Sequence, residues 1–153
     1  MCRAEGKRDT ARKLGKGEGR TRFAFFGQMH PYKGLDFILE ALGKLPPAIR
    51  STITLDVHGH GLELIDKGPY YDKLKKLLKQ HSKQVQFHGP YEQHELPALM
   101  KAADWVLMGS IWWENSPLVI QEAWKFGRPV ICPELGGMAE KVKGGKGGLL
   151  YRP

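Results

Sequence analysis

Gly109-Ser-Ile-Trp-Trp-Glu-Asn-Ser-Pro-Leu-Val-Ile-Gln-Glu122 follows the short apolar run Asp104-Trp-Val-Leu-Met108, and together they read as strand, loop and helix. Ser116 and Pro117 mark the helix start. Serine is a favoured N-cap, and proline suits the first helical position because it lacks the N–H that would go unbonded there. Such a helix tip offers free amides and a partial positive charge, a ready site for an anion such as phosphate. Glu114 stands before the tip, and Glu122 lies about a turn and a half inside the helix. Acids on either side of a phosphate-binding tip can hold the hydroxyls of a sugar phosphate.

The same alternation recurs on either side. Residues 22–27 form a short apolar strand ending in glycine. Residues 35–45 carry apolar side chains at 35, 38, 39, 42 and 45, a helical stripe stopped by Pro46-Pro47. A strand at 51–58 leads to the turn His58-Gly-His-Gly61, and 70–81 reads as a lysine-rich amphipathic surface helix. A third strand at 85–88 and a helix at 95–103 precede the strand at 104–108. After the helix at 117–126 come a strand at 128–132, a short helix at 138–143 and a sixth strand at 148–151. Repeated β-α units imply a Rossmann-like α/β fold, a parallel sheet with helices on both faces and ligands at the carboxyl ends of its strands. No internal repeat and no second domain is legible.

The 153 residues, 41% hydrophobic and 26% charged, suit one α/β domain with a sizeable core. No apolar run approaches the roughly 18 residues of a membrane span. The start, Met1-Cys-Arg-Ala-Glu-Gly-Lys-Arg8, lacks the apolar centre of a secretory signal. Cys2 and Cys132 make no metal or disulfide pattern, and Cys132, inside Pro129-Val-Ile-Cys132, reads as a buried reduced thiol, which favours the cytoplasm. Of the net charge of +8, a surplus of +5 falls in residues 1–22, with eight Lys or Arg against three acids. This stretch reads as a flexible basic arm ahead of the domain at 23–153. The arm allows peripheral contact with an anionic membrane at its inner face. Nucleic acid is the weaker reading, because no aromatics are interleaved for base stacking.

Several candidates gather at the strand ends. In Gly27-Gln-Met-His-Pro-Tyr-Lys-Gly34, Gly27 allows close backbone approach and Lys33 sits just before a helix start, where an ammonium can neutralise phosphate. A dinucleotide fingerprint G-x-G-x-x-G is absent there, which argues against a nicotinamide enzyme. Gly136-Gly137 precedes another short helix, as either a second nest of backbone donors or a simple turn. His58 and His60 form a His-x-His pair and His88 ends a neighbouring strand; a zinc site needs three or four convergent ligands, and the glycines flanking the pair fit a tight loop at the cleft mouth better. Asp-x-Asp does not occur, so no carboxylate pair of that kind clamps a divalent cation, and no catalytic Ser-His-Asp or Cys-His grouping is visible. Trp113, with Trp112, lies in the loop before Glu114, where an indole can wall a sugar pocket.

The segments Phe25-Phe-Gly-Gln-Met-His-Pro-Tyr-Lys-Gly-Leu-Asp36, the pair Glu114 and Glu122, and Gly127-Arg-Pro-Val-Ile131 through Gly136-Gly-Met-Ala-Glu140 resemble the nucleotide-sugar half of group 1 (family 4) retaining glycosyltransferases. The likeness spans about residues 22–151. It implies the C-terminal, donor-binding half of a GT-B fold. By resemblance, Glu122 holds the ribose hydroxyls, while Glu114, Asn115, Ser116, Pro117 and Leu118 meet the donor sugar and its phosphate. Lys33 then stabilises the departing diphosphate, with Gly27, Gln28, Trp113, Gly136 and Gly137 completing the site. A lysine and a helix tip supply the needed charge without a metal cofactor.

Two positions depart from the pattern. Gln28 stands where many relatives carry a second diphosphate-binding Arg, and Gly109, before Ser110, replaces a usual Pro, a change that loosens the loop carrying Trp112 to Glu114. The N-terminal acceptor domain and the crossover helices of such enzymes are not in the chain, so an isolated fragment is expected to bind donor without completing transfer. The Trp112-Trp-Glu-Asn-Ser-Pro117 variant suggests, by resemblance, polysaccharide or O-antigen assembly. The competing readings are a non-catalytic interaction module of the same fold and a basic nucleic-acid binder.

Overall fold

The structure, a computed structural model, describes residues 19–62, 68–113, 117–143 and 147–153. Its strands are β1 (Thr21–Phe26), β2 (Ile53–His58), β3 (Val85–Gly89), β4 (Trp105–Leu107), β5 (Val130–Pro133) and β6 (Gly148–Tyr151). They form one parallel sheet in the order β3-β2-β1-β4-β5-β6. Between them run α1 (Leu35–Lys44), α2 (Pro47–Arg50), α3 (Pro69–Gln80), α4 (Leu96–Ala102), α5 (Leu118–Lys125) and α6 (Gly136–Val142).

The period of two along β1 divides the core. Ala24 and Phe26 join Met100, Val106, Ile120, Val130 and Met138 on the face covered by α4, α5 and α6. Phe25 points the other way, to Leu35, Leu39, Leu55, Val57 and Leu74 beneath α1 and α3. Each fully buried side chain of this size contributes roughly 1.5–3 kcal/mol, so the two layers hold the sheet rigid between them. On the α1 face, the side of the sheet toward β6 is less fully covered. An apolar groove of about 430 Å³ runs there, lined among others by Phe37, Ile38, Leu107, Ile131 and Tyr151.

The element types agree with the sequence reading, and the differences have local causes. Pro117 is the N-cap of α5 rather than its first residue. Its ring fixes φ at −68°, but its ψ of 115° is extended, so helical geometry begins at Leu118. The expected N-cap, Ser116, lies outside the described residues, as do Glu114 and Asn115. Gly136 and Gly137 do not precede α6 but form its first turn, both buried. Residues 47–50 make a helical turn that the Pro46-Pro47 stop had concealed. β1 begins at Thr21, inside the stretch 1–22 that the sequence reading set apart as an arm.

The strand order fixes where a ligand can sit. From β1 the chain steps outward to β2 and β3, then returns to lay β4 against β1's other edge. The helices that follow β1 and β4, α1 and α5, therefore pack on opposite faces and leave a crevice at the carboxyl ends of those two strands.

Candidate functional site

Two glycines close that crevice from below. Gly34 ends the 3-10 turn Pro31–Lys33 in the left-handed conformation, with φ of 66°. A Cβ on Gly34 would overlap the carbonyl of Gly109, and a Cβ on Gly109 would overlap that of Gly34. The Ile111 amide donates to the Tyr32 carbonyl at 3.0 Å, extending the same contact. Gly109 therefore does not loosen its loop. It is the position that lets the β1 and β4 loops lie backbone to backbone.

The β1 loop is held from the other side by β2. Gly27 donates to the His58 carbonyl at 3.0 Å and Met29 to that of His60 at 2.8 Å. A side chain on Gly59 would run into the Gly27 carbonyl, whereas one on Gly27 would make ordinary contact with the Phe25 ring. The close approach expected at Gly27 thus depends on Gly59.

Above this framework lies a pocket of about 280 Å³ lined by Phe25, Phe26, Lys33, Leu107, Met108, Gly109, Ser110, Pro117, Leu118 and Val119. Its floor is the carboxyl ends of β1 and β4. Lys33 lines it from the β1 side. From the other comes the first turn of α5, where the Leu118 and Val119 amides have no preceding helical carbonyl to bond. Cation and helix tip, about 85 residues apart in sequence, thus line one cavity.

The remaining candidates lie around it. Glu122 is one turn further along α5, half-buried, and is not among the residues lining the pocket. Its charge reaches Tyr91, whose phenol is pushed up first by burial and then by Glu122. Tyr91 meets Phe26 and His58 edge-on, with centroids 5.7 and 6.2 Å away. His58 is buried and stacked between Phe26 at 5.0 Å and His88 at 4.7 Å. Burial, and then the neighbouring His88, lower its pKa to about 4. His88 in turn pairs with Asp56 at 2.7 Å. His58 and His88 are thus part of an aromatic stack at the ends of β2 and β3. Among the described residues, no three His, Cys, Asp or Glu side chains are grouped as a metal site.

The Trp113 indole lies against Gly136, whose φ is 47°; a Cβ there would come within 2.9 Å of the ring. This contact sets Trp113 against the first turn of α6 at Gly136. Gln28 is not among the residues lining the first pocket but lines a second one, with His30, Tyr32, Lys33 and Trp112. Sequence reading missed Tyr91, Tyr32 and His30. Their signal, aromatic and imidazole rings crowding the strand ends, was visible but had no spacing to single it out.

The comparisons with known proteins bear on family and fold. The family described as "Glycosyl transferases group 1" matches residues 6–153, beginning within the stretch read as a basic arm. The D-inositol 3-phosphate glycosyltransferase of Mycolicibacterium smegmatis is 33% identical over 148 residues, covering 95% of this chain and 32% of that protein. That of Frankia alni is 36% identical over 135 residues, covering 82% and 31%. Among solved structures, Anabaena Alr3699/HepE in complex with UDP superposes with a TM-score of 0.75 at 29% identity, over 88% of this chain and 35% of that one. WaaG, a glycosyltransferase involved in lipopolysaccharide biosynthesis, superposes at 0.70 with 26% identity, over 97% and 38%. The chain spans about a third of the length of the curated relatives it matches.

Proposed function

The chain belongs to the group 1 glycosyl transferases, and on that footing we propose that it binds the nucleoside-diphosphate sugar from which a retaining enzyme transfers a hexose to a glycan or lipid-linked acceptor. The observation that carries this reading is the pocket at the β1/β4 crevice, where Lys33 and the α5 tip face one space. A diphosphate is the ligand that such a pair fits. The tip's amides donate to its oxygens, and the ammonium offsets the charge that grows as the sugar–phosphate bond breaks. This division of labour needs no divalent cation. Gln28, in place of a second cation, adds a hydrogen-bond donor on the far side of Lys33. Trp113, resting on Gly136, walls the sugar, with Gly137 beside it, and Glu122 takes the ribose hydroxyls.

UDP is the first nucleotide to try, since HepE, similar in fold and 29% identical, was crystallised with it. Transfer itself would draw on an acceptor-binding half of the kind that the longer relatives have room for. The setting that suits such a reaction is the cytoplasmic side of a membrane, in surface polysaccharide or O-antigen assembly. Among the described residues no helix is long and apolar enough to cross that membrane. The test is calorimetric binding of UDP and UDP-hexoses to the chain and to Lys33→Ala and Glu122→Gln. A hydrogen bond to a charged group contributes about 1.5–3 kcal/mol, so each change should weaken binding roughly tenfold or more. Equal affinity in both variants would remove the assignment.

A further inference from the structure

The two edges of the sheet are built differently. β3, at one edge, carries the exposed polar residues Gln86 and His88, and its register against β2 shifts between Val57 and His58. Polar side chains and a broken register are devices that keep an edge strand from pairing with another chain. β6, at the other edge, is Gly148-Leu-Leu-Tyr151, with no charge, no proline and an unbroken register against β5. Leu149 on it is 56% exposed.

The backbone shows which groups of β6 are open. Val130 donates to the Gly147 carbonyl at 3.0 Å and Glu134 to that of Tyr151 at 2.8 Å. Backbone groups alternate sides along a strand, so those of 147, 149 and 151 face β5 and those of Gly148, Leu150 and Arg152 face outward. The side chains alternate between the two faces as well. Leu150 packs into the layer beneath α4, α5 and α6, whereas Tyr151 lines the apolar groove on the α1 face and stacks there on Phe37 at 5.9 Å. Phe37 is itself 43% exposed. The open edge is therefore continuous with an uncovered apolar face, the mark of an interaction surface.

We propose that β6 pairs with β6 of a second copy of this chain, antiparallel about a two-fold axis through Leu150. In that register Leu150 lies opposite Leu150 of the second copy, Gly148 opposite its Arg152, and Leu149 opposite its Tyr151. Positions 148, 150 and 152 all face the gap, so every outward backbone group meets another. The side chains agree. Leu149 and Tyr151 meet on the α1 face, and each Arg152 stands opposite a glycine, which keeps like charges apart. β6 is thus complementary to itself, as a two-fold contact requires. A helix laid in the groove would cover Phe37 but leave the edge groups to water, so a strand is the occupant that fits. One short strand pair belongs with the smaller interfaces, and a dissociation constant of roughly 10–100 μM is expected. β5 separates this edge from β4, so the pairing does not depend on the donor reading.

Sedimentation velocity of the full chain from about 5 μM to 1 mM tests this. The mass should rise from one chain to two and stop there. Leu149→Lys puts charge on the paired face, and Arg152→Pro removes one outward N–H without touching the bonds to β5. Each should weaken association about tenfold or more, because a two-fold contact feels every change twice. Gln86→Lys, on the β3 edge, should leave it within about twofold. Amide exchange followed by NMR reads the register on the unsubstituted chain, and so decides even if a variant fails to fold. On raising the concentration, exchange at Leu150 and Arg152 should slow, while Leu149 and Tyr151, bonded to β5, stay protected throughout. A chain that remains single at the highest concentration would overturn the proposal. So would association unaltered in both Leu149→Lys and Arg152→Pro, growth beyond two chains, or slowed exchange along β3 in place of β6.

Discussion

The contact between Gly34 and Gly109 can be weighed against a control that the fold itself provides. Gly34 has φ of 66° and a backbone carbonyl where its Cβ would go, Gly109 has the carbonyl without a positive φ, and Gly127 has φ of 70° with open space around it. Gly127→Ala should therefore pay only for the left-handed conformation, about 1–2 kcal/mol. Gly109→Ala should pay for pushing two loops apart, about 1–3 kcal/mol by analogy with overpacked cores. Gly34→Ala carries both and should cost about 2–5 kcal/mol. For a chain of this size that is a fall in Tm of roughly 4–20 °C. Urea denaturation with a common slope measures all three. Because the displaced loop carries Lys33, Gly34→Ala and Gly109→Ala should also weaken UDP binding, while Gly127→Ala should leave it alone. If Gly34→Ala costs no more than Gly127→Ala, the two loops do not touch as described and the site's framework is wrong.

Other consequences follow from buried titratable groups. His58 is neutral in the fold with a pKa of about 4, against 6.5 in an unfolded chain. Its contribution is therefore intact above pH 6.5 and is lost as the pH falls toward 4, about 3 kcal/mol in all. His58→Phe should flatten that part of the stability–pH curve, and an unchanged curve would contradict the burial of the ring. Cys132 is buried, and burial pushes its thiol up to about 11. Iodoacetamide at pH 8 should leave Cys132 unmodified in the folded chain and alkylate it in urea, as read by peptide mass spectrometry. Rapid labelling of Cys132 in the native state would show that β5 is not enclosed as found.

Much of the fold was legible because β-α alternation leaves a periodic trace. The stripe at 35, 38, 39 and 42 became the buried face of α1, and the run at 148–151 became β6 residue for residue. Boundaries slipped where proline was involved. At Pro117 the residue's fixed φ is compatible with either side of a helix start, and only ψ decides. The site was legible in part. Lys33 and Leu118 could be flagged from helix-start chemistry, but their shared pocket depends on the β1–β4 pairing, an order that no local pattern encodes. Gly109 was misread for a similar reason. In isolation a glycine for a proline suggests slack, and the carbonyl of Gly34 that forbids a side chain there lies 75 residues away in the chain. The ring stack of Phe26, His58, His88 and Tyr91 likewise joins β1, β2, β3 and the stretch after β3, so it exists only once the sheet is built.

The most direct examination of the central claim is a ¹⁵N–¹H NMR titration of the chain with UDP, following the backbone amides of the β1 loop, the β4 loop and the α5 tip. The largest shifts are expected at Lys33, Gly109, Leu118 and Val119, with β6 and the outer turns of α3 unmoved. Saturable shifts confined to the apolar groove near Phe37 and Ile131, or no shifts at all with UDP or a UDP-hexose, would contradict the account.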